Sequence, residues 1–158
     1  ASRTSAMCKS SLGLAASPTV FNHNIETVER CTAAVRPEAS YLRSLAVLAY
    51  VAHRAPGMPV KSGVMVGLGE RPDEVEDAID DLYEVGCRVL TIGQYLSPSP
   101  AHAPVAEYVS EQQFAAYRRH AEERGFAAVV SGPLVRSSYH AHEVCRVAEE
   151  TGKCEETE

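Results

Sequence analysis

Tryptophan is absent from this 158-residue chain and aromatic residues make up only 6% of it, which argues against a platform for stacking nucleobases. Basic charge is not in excess either. The net charge is −6, so no general positive field draws the chain to nucleic acid or to an anionic membrane. No apolar run approaches the roughly 18 residues that suggest a membrane span. Cysteine is present but in an unhelpful pattern: Cys8, Cys31, Cys87, Cys145 and Cys154 are odd in number, widely spaced, and form no CxxC or CxxxCxxC. A secreted disulfide framework calls for an even set and a zinc ribbon for close pairs. Neither is expected, and the thiols point to a reducing compartment. Cys87, inside an apolar run, reads as a small core residue.

What remains is an ordinary globular composition, 45% apolar and 23% charged, in a chain long enough for one domain. Residues 1–18 read as a disordered or atypical lead-in: the first seventeen carry five serines, Arg3 and Lys9 and no acid. Such a composition also resembles an organelle transit segment. From residue 19 to 142 the chain alternates. Thr19–Phe21 reads as a short first strand. Ser40–His53 reads as a helix apolar nearly all round, hence well buried. Val60–Val66 is a strand. Arg71–Val85 is an amphipathic helix with Pro72 in its first turn, Val75, Ala78, Ile79 and Leu82 inward, and Gly86 at its end. Cys87–Ile92 is the next strand. Ser110 and Gln113 have capping-box spacing before a helix that Gly125 stops, and Phe126–Val130 is the last strand.

Strands this apolar, alternating with helices, predict an α/β fold with a parallel sheet, either doubly wound or part of a (β/α) barrel. Both architectures place ligands beyond the carboxyl ends of the strands, and polar or glycine-rich residues follow each one. Gly67-Leu68-Gly69-Glu70-Arg71-Pro72 fails as a dinucleotide loop, because Pro72 stands where the third glycine belongs and Glu70 repels a pyrophosphate. It reads as a tight turn, or as a wall for an uncharged adenine and ribose. Asn22-His23-Asn24 is either a turn or a polar contact set, and His23 has no second ligand at metal spacing. Ser137, Ser138, His140 and His142 suggest a hydrolase only weakly, since no G-x-S-x-G elbow occurs. Asp77, Asp80, Asp81 and Glu84 read as a solvated helix face, and residues 143–158 as an acidic tail.

Five phrases stand in order: VFNHNIETV (Val20–Val28), VRPEASYLRSL (Val35–Leu45), KSGVMVGLGE (Lys61–Glu70), LTIGQYLSPS (Leu90–Ser99) and GPLVRSSYHA (Gly132–Ala141). Together they closely resemble the C-terminal half of lipoyl synthase, a radical S-adenosylmethionine (SAM) enzyme. The resemblance implies the C-terminal half of a radical SAM partial (β/α) barrel, similar to a TIM barrel. It implies insertion of two sulfurs at the sixth and eighth carbons of a protein-bound octanoyl group. Cofactors would be SAM and two [4Fe-4S] clusters, the auxiliary one held partly by a serine that maps to Ser137 and consumed as the sulfur source. Gly63, Met65, Gly67 and Glu70 match the pattern beside the adenosyl group. Asn22 and Asn24 become candidates for ribose and carboxylate contacts, Gln94 and Tyr95 for the neighbourhood of adenine. Arg136 would supply positive charge to the cluster or to the SAM carboxylate, or serve as an ion-paired barrel residue. Implied partners are octanoylated lipoyl domains or the glycine-cleavage H protein, a reductant such as ferredoxin or flavodoxin, and a separate N-terminal half; neither nucleic acid nor membrane is expected. The implied location is bacterial cytoplasm, with mitochondrion or plastid as the alternative.

The sequence also departs from the family. Neither cluster-binding cysteine motif is present, so the expectation is a lipoyl synthase fragment inactive alone. The competing expectations are a noncatalytic half-barrel module binding an adenosyl ligand or a lipoyl domain, and a fragment too open at its strand edge to fold.

Overall fold

The computed structural model describes residues 18–136. Strands β1 (Phe21–Asn22), β2 (Val60–Val66), β3 (Val89–Gln94) and β4 (Ala128–Gly132) alternate with helices α1 (Glu29–Val35), α2 (Tyr41–Arg54), α3 (Pro72–Glu84) and α4 (Glu111–Arg124), with α1 and α2 both between β1 and β2. The strands form one sheet in the order β1-β2-β3-β4, and every neighbouring pair is parallel. A doubly wound sheet needs a point where the strand order reverses. None occurs among the described strands, so the consecutive order fits a segment of barrel wall.

Local chemistry accounts for the helices. Ser40 caps α2 by accepting a hydrogen bond from the Arg43 N–H, and Ser110 caps α4 in the same way through Gln113. Pro72 opens α3 where its missing N–H costs nothing. The helix α2 is less enclosed than its apolar sequence predicts. Leu45, Leu48 and Val51 are buried, but Leu42 lies 64% exposed on the outer side. Helix α1 has no counterpart in the sequence reading.

Two strands begin two residues later than their apolar runs suggest. Cys87 and Phe126 do not open strands. Their N–H groups donate back five residues, to Leu82 and Ala121, closing the ends of α3 and α4 beyond Gly86 and Gly125. Each strand then continues through small or polar residues, Gly93-Gln94 and Ser131-Gly132. The sheet's helix-side face, with Val60, Val66, Leu90, Ile92 and Val129, joins one core with Leu48, Val75, Ile79, Leu82, Phe114 and Tyr117. Cys87 is fully buried there, as expected.

The acidic face of α3 is not simply solvated. The Asp80 carboxylate meets His120 Nε2 at 2.9 Å and Arg124 Nε at 3.1 Å, Glu84 accepts from Arg124, and Asp81 accepts from the Tyr41 hydroxyl. These residues fasten α3 to α4 and to α2.

Candidate functional site

Alternation puts the other residues of β2 and β3 on the opposite face of the sheet. Register then aligns them in rows: Lys61 with Val89 and Ala128, Gly63 with Thr91 and Val130, Met65 with Gly93 and Gly132. The first row is closed, with Lys61 buried and its pKa lowered by desolvation. The two upper rows open into a cleft of about 220 Å³.

Glycines form its floor because no Cβ fits. On Gly63 a Cβ would lie 2.8 Å from Thr91 Oγ1 and 3.0 Å from Asn24 Oδ1, and on Gly93 it would run into the Val135 carbonyl. Past β1 the chain stays beside β2: Glu26 N–H donates to the Gly63 carbonyl (3.1 Å), and Met65 N–H donates to the Glu26 carbonyl (2.8 Å). These bonds hold Glu26 at φ +71°, the one described non-glycine residue with positive φ. A carboxylate residue held in that conformation beside a cleft marks local strain of the kind found at ligand sites. The Asn24 amide nitrogen donates to Glu26 Oε1 at 3.4 Å, and its Oδ1 is buried without a partner. A buried amide oxygen left unpaired is costly, and a hydroxyl or amine donor in the cleft would satisfy it.

Of the residues singled out from sequence, Asn24, Gly63, Met65, Gln94 and Arg136 line the cleft, together with Glu26, Thr91, Leu96 and Val135. Asn22, Gly67, Glu70 and Tyr95 do not. Asn22 is exposed at the strand edge. Glu70 turns back into its own loop, its two carboxylate oxygens accepting from the Gly67 and Leu68 N–H groups. The Tyr95 hydroxyl donates to the Ala103 carbonyl. Gln94 is committed at both ends of its amide, Nε2 donating to the Tyr95 and Glu107 carbonyls and Oε1 accepting from Val109 N–H. Arg136 is exposed, with Nη1 on the Val135 carbonyl at 2.8 Å. Burial, and then the nearby Arg36, lower the pKa of His23. Ser137, Ser138, His140 and His142 lie outside the described residues. Glu26, Thr91 and Leu96 were missed from sequence. Only the two-residue alternation Asn22, Asn24, Glu26 could have pointed to the first.

Among the described residues no three His, Cys, Asp or Glu side chains come together as a metal site. Cys31 and Cys87 are both buried. No described helix is long and apolar enough to cross a membrane.

No family model matches the chain. Individual curated proteins do. The chain is 53% identical over 135 residues to lipoyl synthase of Bacteroides thetaiotaomicron, covering 85% of this chain and 47% of that protein. It is 56% identical over 128 residues to lipoyl synthase of Rubrobacter xylanophilus, covering 81% of this chain and 40% of that protein. Lipoyl synthase of Methylococcus capsulatus is 55% identical over 124 residues, or 78% of this chain and 38% of that protein. Identity at this level over about four fifths of the chain agrees with the resemblance carried by the five phrases. The chain belongs to the lipoyl synthase family and spans less than half the length of these curated relatives.

Proposed function

We propose that this chain supplies the adenosyl-binding side of a lipoyl synthase. The reaction is insertion of two sulfurs into a protein-bound octanoyl group at its sixth and eighth carbons. The observation that carries this reading is the cleft itself: it sits at the carboxyl ends of parallel strands, is built from the phrases shared with the family, and holds one unpaired buried amide oxygen.

The residues present fit SAM. Asn24 Oδ1 and the Glu26 carboxylate accept from ribose hydroxyls or from the ligand's amino group, and the glycine floor lets a flat group approach the backbone. Arg136, exposed at the opposite rim, takes an anionic group. Bound there, SAM would supply adenosyl-radical chemistry once reduced, and Asn24, Glu26 and Arg136 would hold and orient it. Asn22, Gly67, Glu70 and Tyr95 shape the surrounding loops in this reading and do not touch the ligand.

The described residues do not fit a four-iron cluster, and no step is derived through one. Ser137 remains the proposed serine ligand of the auxiliary cluster, with its cysteine partners supplied from elsewhere. Octanoylated lipoyl domains or the glycine-cleavage H protein are the proposed substrates, ferredoxin or flavodoxin the proposed reductant, and bacterial cytoplasm the proposed location, since the three relatives named above are bacterial. The second reading is a module that binds an adenosyl ligand without turnover.

A chimera separates the two. Residues 20–136 are placed in the Rubrobacter xylanophilus protein in exchange for the stretch they align with, and sulfur insertion into an octanoylated lipoyl domain is assayed by mass. The expected result is lipoyl product, abolished by Asn24→Leu. A folded chimera that binds S-adenosylhomocysteine but makes no product supports the binding module instead.

A further inference from the structure

The Asn24–Glu26 side of the cleft is the part least secured by its own local structure. It lies between β1, two residues long, and α1, which has seven residues and no side-chain N-cap. A helix that short has little stability of its own. Val28 and Cys31 seat it in the core, but apolar burial is non-directional and does not fix where a helix lies along a sheet. Arg30, exposed on α1, supplies the direction. Its Nε donates to Glu74 Oε1 at 2.7 Å, and its Nη2 donates to Glu74 Oε2 and to the Gly69 carbonyl, both at 2.8 Å. We infer that Arg30 is a positioning residue: without lining the cleft, it locks α1 onto the 69–74 segment and so holds Asn24 and Glu26 where the ligand meets them. This deepens the function proposed above and rests on it for the identity of the ligand.

The partners of Arg30 are themselves well anchored. Glu74 also accepts from the Arg71 N–H at 2.8 Å, closing the first turn of α3. Gly69 belongs to a turn whose Gly67 and Leu68 N–H groups bind Glu70, and whose Gly67 carbonyl accepts from the Ala106 N–H at 2.8 Å. An exposed ion pair held at a single point contributes little. A planar guanidinium that grips a carboxylate at two points fixes orientation as well as distance. At the other end of the segment, Glu26 is held at φ +71° by its two bonds to β2, through the Gly63 carbonyl and the Met65 N–H. Only three residues separate Glu26 from Arg30, and two of them, Thr27 and Val28, are buried. A shift of α1 therefore falls on Glu26, whose positive φ is costly to hold. Losing the Arg30 bonds lets that residue relax and carries the Asn24 amide off the cleft floor.

The test compares the purified chain with Arg30→Gln by amide hydrogen exchange and by affinity for S-adenosylhomocysteine. Exchange at the Glu26 and Met65 amides should be at least about tenfold faster in the variant while the β3 amides keep their protection. Adenosyl affinity should fall about tenfold, the order of one hydrogen bond to a charged group. Arg118→Gln, which breaks the exposed Arg118–Glu122 pair on α4, should move neither readout. Exchange that quickens through β3 as well makes Arg30 a general stabiliser and overturns the inference. Unchanged Glu26 and Met65 amides overturn it too, as does faster exchange with unchanged adenosyl affinity. If the parent chain binds no adenosyl compound, the proposed function fails, and the exchange result alone then decides whether Arg30 holds the segment.

Discussion

Gly63 carries the floor of the cleft by what it lacks. Substituting alanine sets a methyl group 2.8 Å from Thr91 Oγ1 and 3.0 Å from Asn24 Oδ1, closer than either oxygen tolerates. Gly63→Ala should therefore cost about 1–3 kcal/mol of stability, as overpacking does, and should remove adenosyl binding by displacing Asn24. Calorimetric titration beside a urea melt reads both. Cys87 makes the opposite case, a reactive group rendered inert. Burial pushes its thiol up to about 12, and the Tyr117 phenol is likewise raised by burial to about 12. Both groups are more easily ionised in the unfolded chain, near 9 and 10. The stability they contribute is complete below pH 9 and disappears as pH climbs from 9 towards 12. The expected outcome is a melting temperature that falls steadily over that window, with Cys87 unreactive towards thiol reagents at pH 8 until the chain unfolds. Single residues were only partly legible in the sequence. Asn24 and Gly63 belong to family phrases, but nothing in a glutamate's identity reveals the positive φ that sets Glu26 beside the cleft. Glu70, in contrast, looks like a ligand contact in sequence because carboxylates serve both purposes. Its oxygens are taken by two backbone N–H groups of its own turn.

At the scale of elements, periodicity and caps gave α2, α3 and α4 nearly to the residue, since each has a strong start or stop: Ser40, Pro72, Ser110, Gly125. Helix α1 has neither. Its N-cap is Val28, which makes no side-chain cap, and it runs only seven residues. The late starts of β3 and β4 have a common cause. Apolar residues just after a helix-ending glycine serve the Schellman-type closure, and both strands end in Gly, Ser or Gln, which carry little strand signal. Composition thus obscured the ends of these strands. The core behind them was plain, and it is unforgiving. Leu82 on α3 is fully buried among strand and helix side chains. Leu82→Ala should cost about 2–5 kcal/mol, seen as an earlier urea midpoint at unchanged slope. A smaller loss would mean that α3 is not packed into the core as described.

For the whole molecule, the consecutive parallel order is what turns scattered residues into one site. With no reversal among the described strands, segments following β1, β3 and β4 are carried to the same end of the sheet, and Asn24, Leu96 and Arg136 meet although they are far apart in sequence. Sequence spacing alone left two architectures open, and the consecutive order of the described strands is consistent with the partial barrel. The central claim, that this cleft is the adenosyl site, is tested most directly by titrating the isotope-labelled chain with S-adenosylhomocysteine and mapping amide shifts. The account predicts saturable shifts concentrated at Asn24, Glu26, Gly63, Thr91 and Gly93. Shifts concentrated at Gly67–Glu70 and Tyr95, or none at all, would contradict it.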